Sequence, residues 1–287
     1  MAVRSEPIIL IGAARSGTKF VRDLLATDPS IARVPYDINY VWRTGQQNAP
    51  DDALHPLSLT PKRIRTIRSA VNRLAERHGK DNDARIIEKT VSNCLRVPYV
   101  NQVFPEARYI HLVRDGRAVV ESSLRLWQSP PDRESVLRKL RELPFESWDY
   151  VPWFALNYVR GRIQGRTGGE VWGPRYPGIA DDVKRLSLID IVVRQWVECV
   201  SRAAIALEAL PSKQVLTVRY EDLVTSEDQV HRMCDFSGVP DHTMVLSSFR
   251  RLANSDNADK WRSALPEDTC RRIEETAAPE LRQYGYL

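Results

Sequence analysis

Apolar residues are distributed along this chain in two rhythms. Short unbroken runs bounded by turn residues, at 7–12, 85–88, 108–113 and 214–218, predict strands buried on both faces, as in a parallel sheet. The segments that follow most of them carry helical periodicity, which predicts helices over 17–27, 61–78, 93–103, 116–128, 186–210, 227–237 and 266–277. Thr60 before Pro61, Asp115, Ser226 and Pro266 are expected to start helices, and Gly79 and Gly238 stand where helices should end. Strand–helix alternation implies an α/β fold, a single domain over 1–287 with a central parallel sheet of four to five strands flanked by helices. In such folds ligands bind at the carboxyl ends of the strands. Two stretches depart from the pattern: 43–60 is polar and Pro-rich, and 161–180 is rich in Gly and Pro, interleaved with Trp172, Tyr176 and three arginines. A loop that long in a compact domain tends to be functional or disordered.

The segment Ile8-Ile9-Leu10-Ile11-Gly12-Ala13-Ala14-Arg15-Ser16-Gly17-Thr18-Lys19 combines strand, tight turn and helix start. Gly12 and Gly17 let the backbone turn sharply and approach a ligand. Ser16, Gly17, Thr18 and Lys19 offer backbone N–H groups at a helix N-terminus, where donors lack partners and the dipole favours an anion. Arg15 and Lys19 add full charges. The glycine spacing matches the nucleotide-triphosphate loop G-x-x-x-x-G-K-[ST], but Thr18 precedes Lys19 and Phe20 follows it, so the hydroxyl that would hold Mg²⁺ is out of place. A P-loop-like phosphate binder that works without a metal is the expectation.

Arg15-Ser16-Gly17-Thr18 after a strand resembles the 5′-phosphosulfate loop of the sulfotransferase superfamily, whose members use 3′-phosphoadenosine 5′-phosphosulfate (PAPS). A second segment is similar too: the strand ending at Val113 runs into Arg114-Asp115-Gly116-Arg117, and Ser122 stands eight residues after Arg114. An arginine at a strand end can grip a phosphate bidentately. Physics alone would not pair it with a serine roughly 10 Å along the helix; the resemblance does, because sulfotransferases bind the PAPS 3′-phosphate with an Arg and a Ser at this spacing. Between them lies Ile86-Ile87-Glu88-Lys89-Thr90-Val91, where Lys89 could stabilise charge on the transferred group and, with Arg15 or Lys19, on the bridging oxygen as it leaves. Cytosolic small-molecule sulfotransferases carry Lys-Thr-His here; Val91 replaces that histidine base. The resemblance is closer to carbohydrate and tyrosylprotein sulfotransferases, which place a catalytic carboxylate in the loop after the first helix, and it implies Asp37 as the base, with Glu88 as the fallback. His111, mid-strand, reads as a core histidine.

Late in the chain, Val218-Arg219-Tyr220-Glu221-Asp222-Leu223 resembles the segment that frames the nucleotide, implying Tyr220 as a cofactor-side residue. Asn257-Ala258-Asp259-Lys260-Trp261-Arg262 resembles the loop that closes over the 3′-phosphate, with Asp259 where Gly is usual and Lys260, Trp261 and Arg262 as ligands. The nucleotide-binding elements are thus expected in 7–37, 85–128 and 214–265, and 129–213 as a helical insertion on the acceptor side.

Composition adds boundaries. With 42 Lys and Arg against 37 Asp and Glu the net charge is +5, which favours anionic ligands but is too mild to specify nucleic acid. The four cysteines, Cys94, Cys199, Cys234 and Cys270, form no C-x-x-C pair, so neither a disulfide framework nor a zinc site is expected. No apolar run approaches the ~20 residues of a membrane span, and no secretory signal pattern is present; a cytoplasmic protein without a metal is the expectation. The implied reaction moves a sulfuryl group from PAPS to an acceptor hydroxyl, with a glycan or glycolipid preferred on the strength of the Trp/Tyr/Arg-rich stretch 148–176, ahead of a peptide tyrosine or small metabolite. The rivals are an ATP-dependent P-loop kinase and a non-catalytic nucleic-acid binder.

Overall fold

Period-two alternation in the first strand divides the core in two. In the computed structural model, which describes residues 6–77, 83–128 and 172–287, β1 (Ile8–Ile11) is buried along its whole length. Ile8 and Leu10 face one hydrophobic cluster, and Ile9 and Ile11 face the other. β1 lies at the centre of a five-stranded parallel sheet with β2 (Ile31–Arg33), β3 (Arg85–Lys89), β4 (Arg108–Val113) and β5 (Val215–Arg219), in the order β2-β3-β1-β4-β5.

The helices cover both faces. On the Ile8/Leu10 side pack α1 (Thr18–Leu25), with Val21, Leu24 and Leu25, and three later helices. On the Ile9/Ile11 side pack α3 (Pro61–Glu76), α4 (Val97–Val103), α5 (Gly116–Gln128), α7 (Leu188–Glu208) and α13 (Glu267–Gln283). Short helices α2 (Asn39–Trp42), α6 (Ile179–Arg185), α8 (Tyr220–Thr225), α11 (Asp256–Asp259) and α12 (Trp261–Ala264) cap the edges, and α9 (Glu227–Ser237) and α10 (Thr243–Leu252) join the α1 layer. Because all five strands run the same way, the turns after β1, β3, β4 and β5 gather on one rim. From β1 the chain crosses to the edge strand β2 and returns inward to β3, then passes to the other side of β1 through β4 and out to β5, so the switch point of the sheet lies between β1 and β4.

The four anticipated strands and the seven anticipated helices are present, those at 108–113, 116–128 and 227–237 with the expected ends and the others with shifted ones. β2 escaped the pattern because three residues cannot display an alternation. The helix expected over 93–103 is two pieces: Val91–Leu95 is a 3-10 turn, and α4 begins afresh with a proline in its first turn. Thr60 caps α3 by accepting from Arg63 N–H, and Asp115 accepts from Arg117 N–H, as expected. Ser226 precedes α9 but makes no side-chain cap. The last helix runs to Gln283, past a break at Ala277 that sits two residues before Pro279. Gly238 ends α9 in the left-handed conformation. Gly79 lies outside the described residues.

Candidate active site

The turn after β1 is built at the switch point. A Cβ on Gly12 would come within 2.6 Å of the Leu112 carbonyl, so only glycine lets β1 and β4 stay this close at the rim. Gly17 has φ +89, and a Cβ there would meet the Tyr220 ring at 2.5 Å. Arg15 holds φ 70 without being glycine, a conformation that costs about 1 kcal/mol or more and gathers at functional sites. The first turn of α1 receives no side-chain cap, and the buried Ser16 hydroxyl has no partner among the described residues. Thr18 is buried in that turn and Lys19 exposed beside it. The loop is an anion cradle with unspent donors.

Arg15 joins this cradle to the second motif. Its Nε donates to Ser122 Oγ at 2.9 Å, and its carbonyl accepts from Arg114 Nη1 at 2.9 Å. Arg114 is buried, its second terminal nitrogen donates to the Asn257 carbonyl, and its guanidinium lies 4.5 Å over the Tyr220 ring. Its Nε has no partner, and among the described residues neither Arg15 nor Arg114 makes an ion pair. Burial disfavours the charge on Arg15, and the neighbouring Arg114 and Arg125 disfavour it further. The buried Arg114 guanidinium, held among the described residues by two carbonyls and an aromatic face, is uncompensated charge. A bound phosphate would supply the missing counter-charge and the missing acceptor.

Arg114 is braced from below. Asp115 N–H donates to Glu221 Oε1, Tyr286 donates to Glu221 Oε2 at 2.6 Å, and the Asp115 carboxylate grips Arg117 bidentately. Burial raises the Glu221 carboxyl above its ordinary value and pushes the Tyr286 hydroxyl far up.

The third motif faces the same rim. Leu10 of β1 pairs with Lys89 of β3, so Lys89 ends its strand directly beside the cradle. Lys89 Nζ lies 3.7 Å from Asp37 Oδ2, and Asp37 also accepts from Val91 N–H at 3.0 Å and Asn39 N–H at 3.2 Å. Asp37 keeps about a quarter of its side chain exposed. Glu88 does not: it is fully buried on the opposite face, hydrogen-bonded by Thr90 and Asn93, and burial pushes its carboxyl up to about 7. It is neither positioned to meet an acceptor nor the ion-pair partner of Lys89; Asp37 is that partner. His111 is a core residue, its imidazole lowered to about 4 by burial and packed edge-on to Tyr284.

The late-chain ligands divide. Asn257 reaches Arg114 through its carbonyl, a contact that depends on backbone and leaves no sequence signal. Trp261 is buried between the guanidiniums of Arg117 and Arg262, at 4.2 and 4.7 Å, so its ring packs against two cations. Lys260 and Arg262 are exposed, and Arg262 pairs with Asp259 at 2.9 Å. Asp259 is accommodated because this stretch is the right-handed turn α11, which needs no glycine.

Sequence reasoning missed the buried hub behind Asp37. Asp52, inside the polar stretch 43–60, is fully buried and receives Arg43 Nη1 at 2.7 Å, Asn39 Nδ2 at 3.1 Å, Ser92 Oγ at 3.0 Å and Arg175 N–H at 2.9 Å. Burial alone would push this carboxyl up, but Arg175, Arg96 and Arg43 hold it well below the usual carboxylate range. The hub ties together α2, the loop that precedes α3, the turn that follows β3 and the segment that precedes α6. Of the aromatic stretch 148–176, residues 148–171 lie outside the described residues. The remainder is not a platform: Tyr176 is fully buried with its hydroxyl donating to Asp182 at 2.7 Å, Trp172 packs against the core, and Arg175 is bound to Asp52. Among the described residues no group of three or more His, Cys, Asp or Glu is arranged to hold a metal, and no helix is long and apolar enough to cross a membrane.

Comparison with known proteins agrees with this geometry. The chain is 24% identical over 311 aligned residues to protein-tyrosine sulfotransferase A of Caenorhabditis elegans, an alignment covering 99% of this chain and 68% of that protein. Its fold is similar to the sulfotransferase domain from the curacin biosynthetic pathway, with TM-score 0.53 and 16% identity over 96% of this chain and 99% of that one. The sulfotransferase from Alicyclobacillus acidocaldarius superposes with TM-score 0.51 and 15% identity over 98% and 94% of the two chains. The model of the sulfotransferase family matches residues 7–151, the half that carries Gly12 through Lys19, Asp37, Lys89, Arg114 and Ser122. The chain belongs to the sulfotransferase family.

Proposed function

We propose that this sulfotransferase moves the sulfuryl group of PAPS to an acceptor hydroxyl, leaving adenosine 3′,5′-bisphosphate and a sulfate ester. The observation that carries the reading is the buried Arg114 joined through Arg15 to Ser122, a site with positive charge and open donors in which, among the described residues, neither arginine makes an ion pair. Arg114 and Ser122 hold the 3′-phosphate. The backbone of Arg15, Ser16, Gly17, Thr18 and Lys19 holds the 5′-phosphosulfate, and the Arg15 guanidinium links the two ends. Tyr220 supports Gly17 and Arg114 from beneath, and Lys260, Trp261 and Arg262 flank the 3′ end.

In the reaction the bond between sulfur and the bridging oxygen of the 5′-phosphate breaks as the acceptor oxygen bonds to sulfur. Lys89 neutralises the charge that grows on the bridging oxygen, and Asp37 accepts the hydroxyl proton. As in phosphoryl transfer, positioning and charge stabilisation do most of the work. No step in this scheme calls for a metal. The likeness to a protein-tyrosine sulfotransferase, over 99% of this chain and 68% of that protein, supports a peptide tyrosine as acceptor. The glycan preference rested on the aromatic stretch, and its described residues are core and hub.

The test is nucleotide binding by calorimetry. Tight binding of adenosine 3′,5′-bisphosphate that is unchanged by Mg²⁺, with ATP at least tenfold weaker, supports the reading. Preferential, Mg²⁺-dependent ATP binding would restore the kinase alternative. Binding that tracks salt and nucleic-acid length instead would point to the non-catalytic rival.

A further inference from the structure

We infer that Glu88, acting through the Thr90 hydroxyl, is a positioning residue that sets the Asp37 loop against Lys89; this rests on the sulfuryl-transfer reading above. The strand places the two neighbours on opposite faces: Lys89 shares the face of Ile87 and Leu10, whereas Glu88 shares that of Ile86. Glu88 therefore points into the protein while Lys89 reaches the rim.

Glu88 Oε1 accepts the Thr90 hydroxyl proton at 2.5 Å. A hydroxyl has one proton to give, so with that proton committed the Thr90 oxygen presents a lone pair, and Ile38 N–H donates to it at 3.1 Å. One residue away on each strand of this junction, Asp37 Oδ2 accepts from Val91 N–H at 3.0 Å. Two hydrogen bonds thus stitch residues 37–38 to residues 90–91, immediately after Lys89. The 3.7 Å separation of Asp37 and Lys89 follows from their being anchored to a shared turn.

The arrangement closes on itself. Glu88 Oε2 accepts from Asn93 Nδ2 at 3.1 Å, Asn93 Oδ1 accepts from Arg96 Nε at 2.9 Å, and Arg96 Nη2 donates to Asn39 Oδ1 at 2.6 Å. Asn39 follows Ile38, so the ring runs from Glu88 through Thr90, Ile38, Asn39, Arg96 and Asn93 back to Glu88. Its side chains are mostly buried, where a hydrogen bond is strong and a missing one costly. None of them belongs to the nucleotide cradle. The ring fixes the base and the cation relative to each other and leaves nucleotide binding to Arg15, Arg114 and Ser122.

The experiment compares Thr90→Val, which keeps shape and removes the hydroxyl, with Thr90→Ser, which keeps the hydroxyl. Amide hydrogen exchange by NMR, which needs no acceptor, reads the Ile38 and Val91 amides; transfer from radiolabelled PAPS to a tyrosine-containing peptide reads kcat and KM. Thr90→Val should speed exchange at both amides at least tenfold, lower kcat roughly 10- to 100-fold, and leave the affinity for adenosine 3′,5′-bisphosphate within twofold. Thr90→Ser should restore both readouts to within threefold of wild type. Unchanged exchange at Ile38 and Val91 in Thr90→Val, equal losses in Val and Ser, or a parallel loss of nucleotide affinity would each overturn the inference. The exchange effect in Thr90→Val beside a wild-type protein that transfers sulfate to nothing would instead remove the functional reading beneath it.

Discussion

Arg15 Nε and Ser122 Oγ, 107 residues apart in sequence, meet at 2.9 Å. This contact makes one continuous site of two motifs that lie on different strands, and it comes from the switch point: the turn after β1 and the helix after β4 rise from adjacent strands on the same rim. The Arg114 to Arg15 carbonyl bond repeats the connection through the backbone. A ligand with phosphates at both ends of an adenosine matches a site whose two halves are locked in register.

Arg114→Ala should weaken adenosine 3′,5′-bisphosphate binding by roughly tenfold to a hundredfold, the range for a charge-assisted hydrogen bond of about 1.5–3 kcal/mol. Calorimetry checks this. The same substitution should barely change the affinity for adenosine 5′-phosphate, which has no 3′-phosphate for Arg114 to hold.

Asp52→Ala should destabilise the protein by about 3–5 kcal/mol, because it strands Arg43, Arg96 and Arg175 as uncompensated buried charge. Denaturant unfolding measures it. The Asp52 contribution is fully present above the ordinary carboxylate range and is lost as pH falls, since its carboxyl is held below that range in the fold.

Glu88 has the opposite sign. Burial raises its carboxyl to about 7, so between roughly pH 4.5 and 7 the native state keeps a proton that the unfolded chain releases. Stability should therefore fall as pH rises through this window, by up to about 3 kcal/mol. Asp37, Lys89, Thr90, Asn93 and Arg96 surround it and remain in the variant, so the difference between wild type and Glu88→Gln isolates this group. Unfolding curves at pH 5 and pH 7 should show a smaller change for Glu88→Gln than for wild type.

Gly17→Ala carries two separate penalties, a positive φ and a contact with the Tyr220 ring at 2.5 Å. A loss of about 1–3 kcal/mol is expected. Adding Tyr220→Leu should recover only part of it, since the smaller side chain relieves the contact and leaves the backbone strain.

Much of this site was readable from the chain. The cradle was legible because glycine spacing, a strand before it and a helix after it are local features, and Arg114 with Ser122 was legible only through the resemblance that paired them. Asp52 was hidden because nothing in a polar, Pro-rich stretch announces a buried carboxylate whose three cations come from positions 43, 96 and 175. Thr90 gave no signal for the same reason: its partner Ile38 meets it only across the fold. Tyr176 and Trp172 were misread because an aromatic residue among glycines and prolines has the same sequence context whether it stacks on a ligand or fills a core.

The most direct measurement is sulfate transfer itself. Wild-type protein given radiolabelled PAPS, without divalent metal, and a panel of tyrosyl peptides and glycans should produce a labelled acceptor and one adenosine 3′,5′-bisphosphate per sulfate. Lys89→Ala should cut kcat by about 100-fold or more while binding the nucleotide as wild type does. Transfer at the wild-type rate by Lys89→Ala, or phosphate transfer from ATP in place of sulfate transfer from PAPS, would contradict the account.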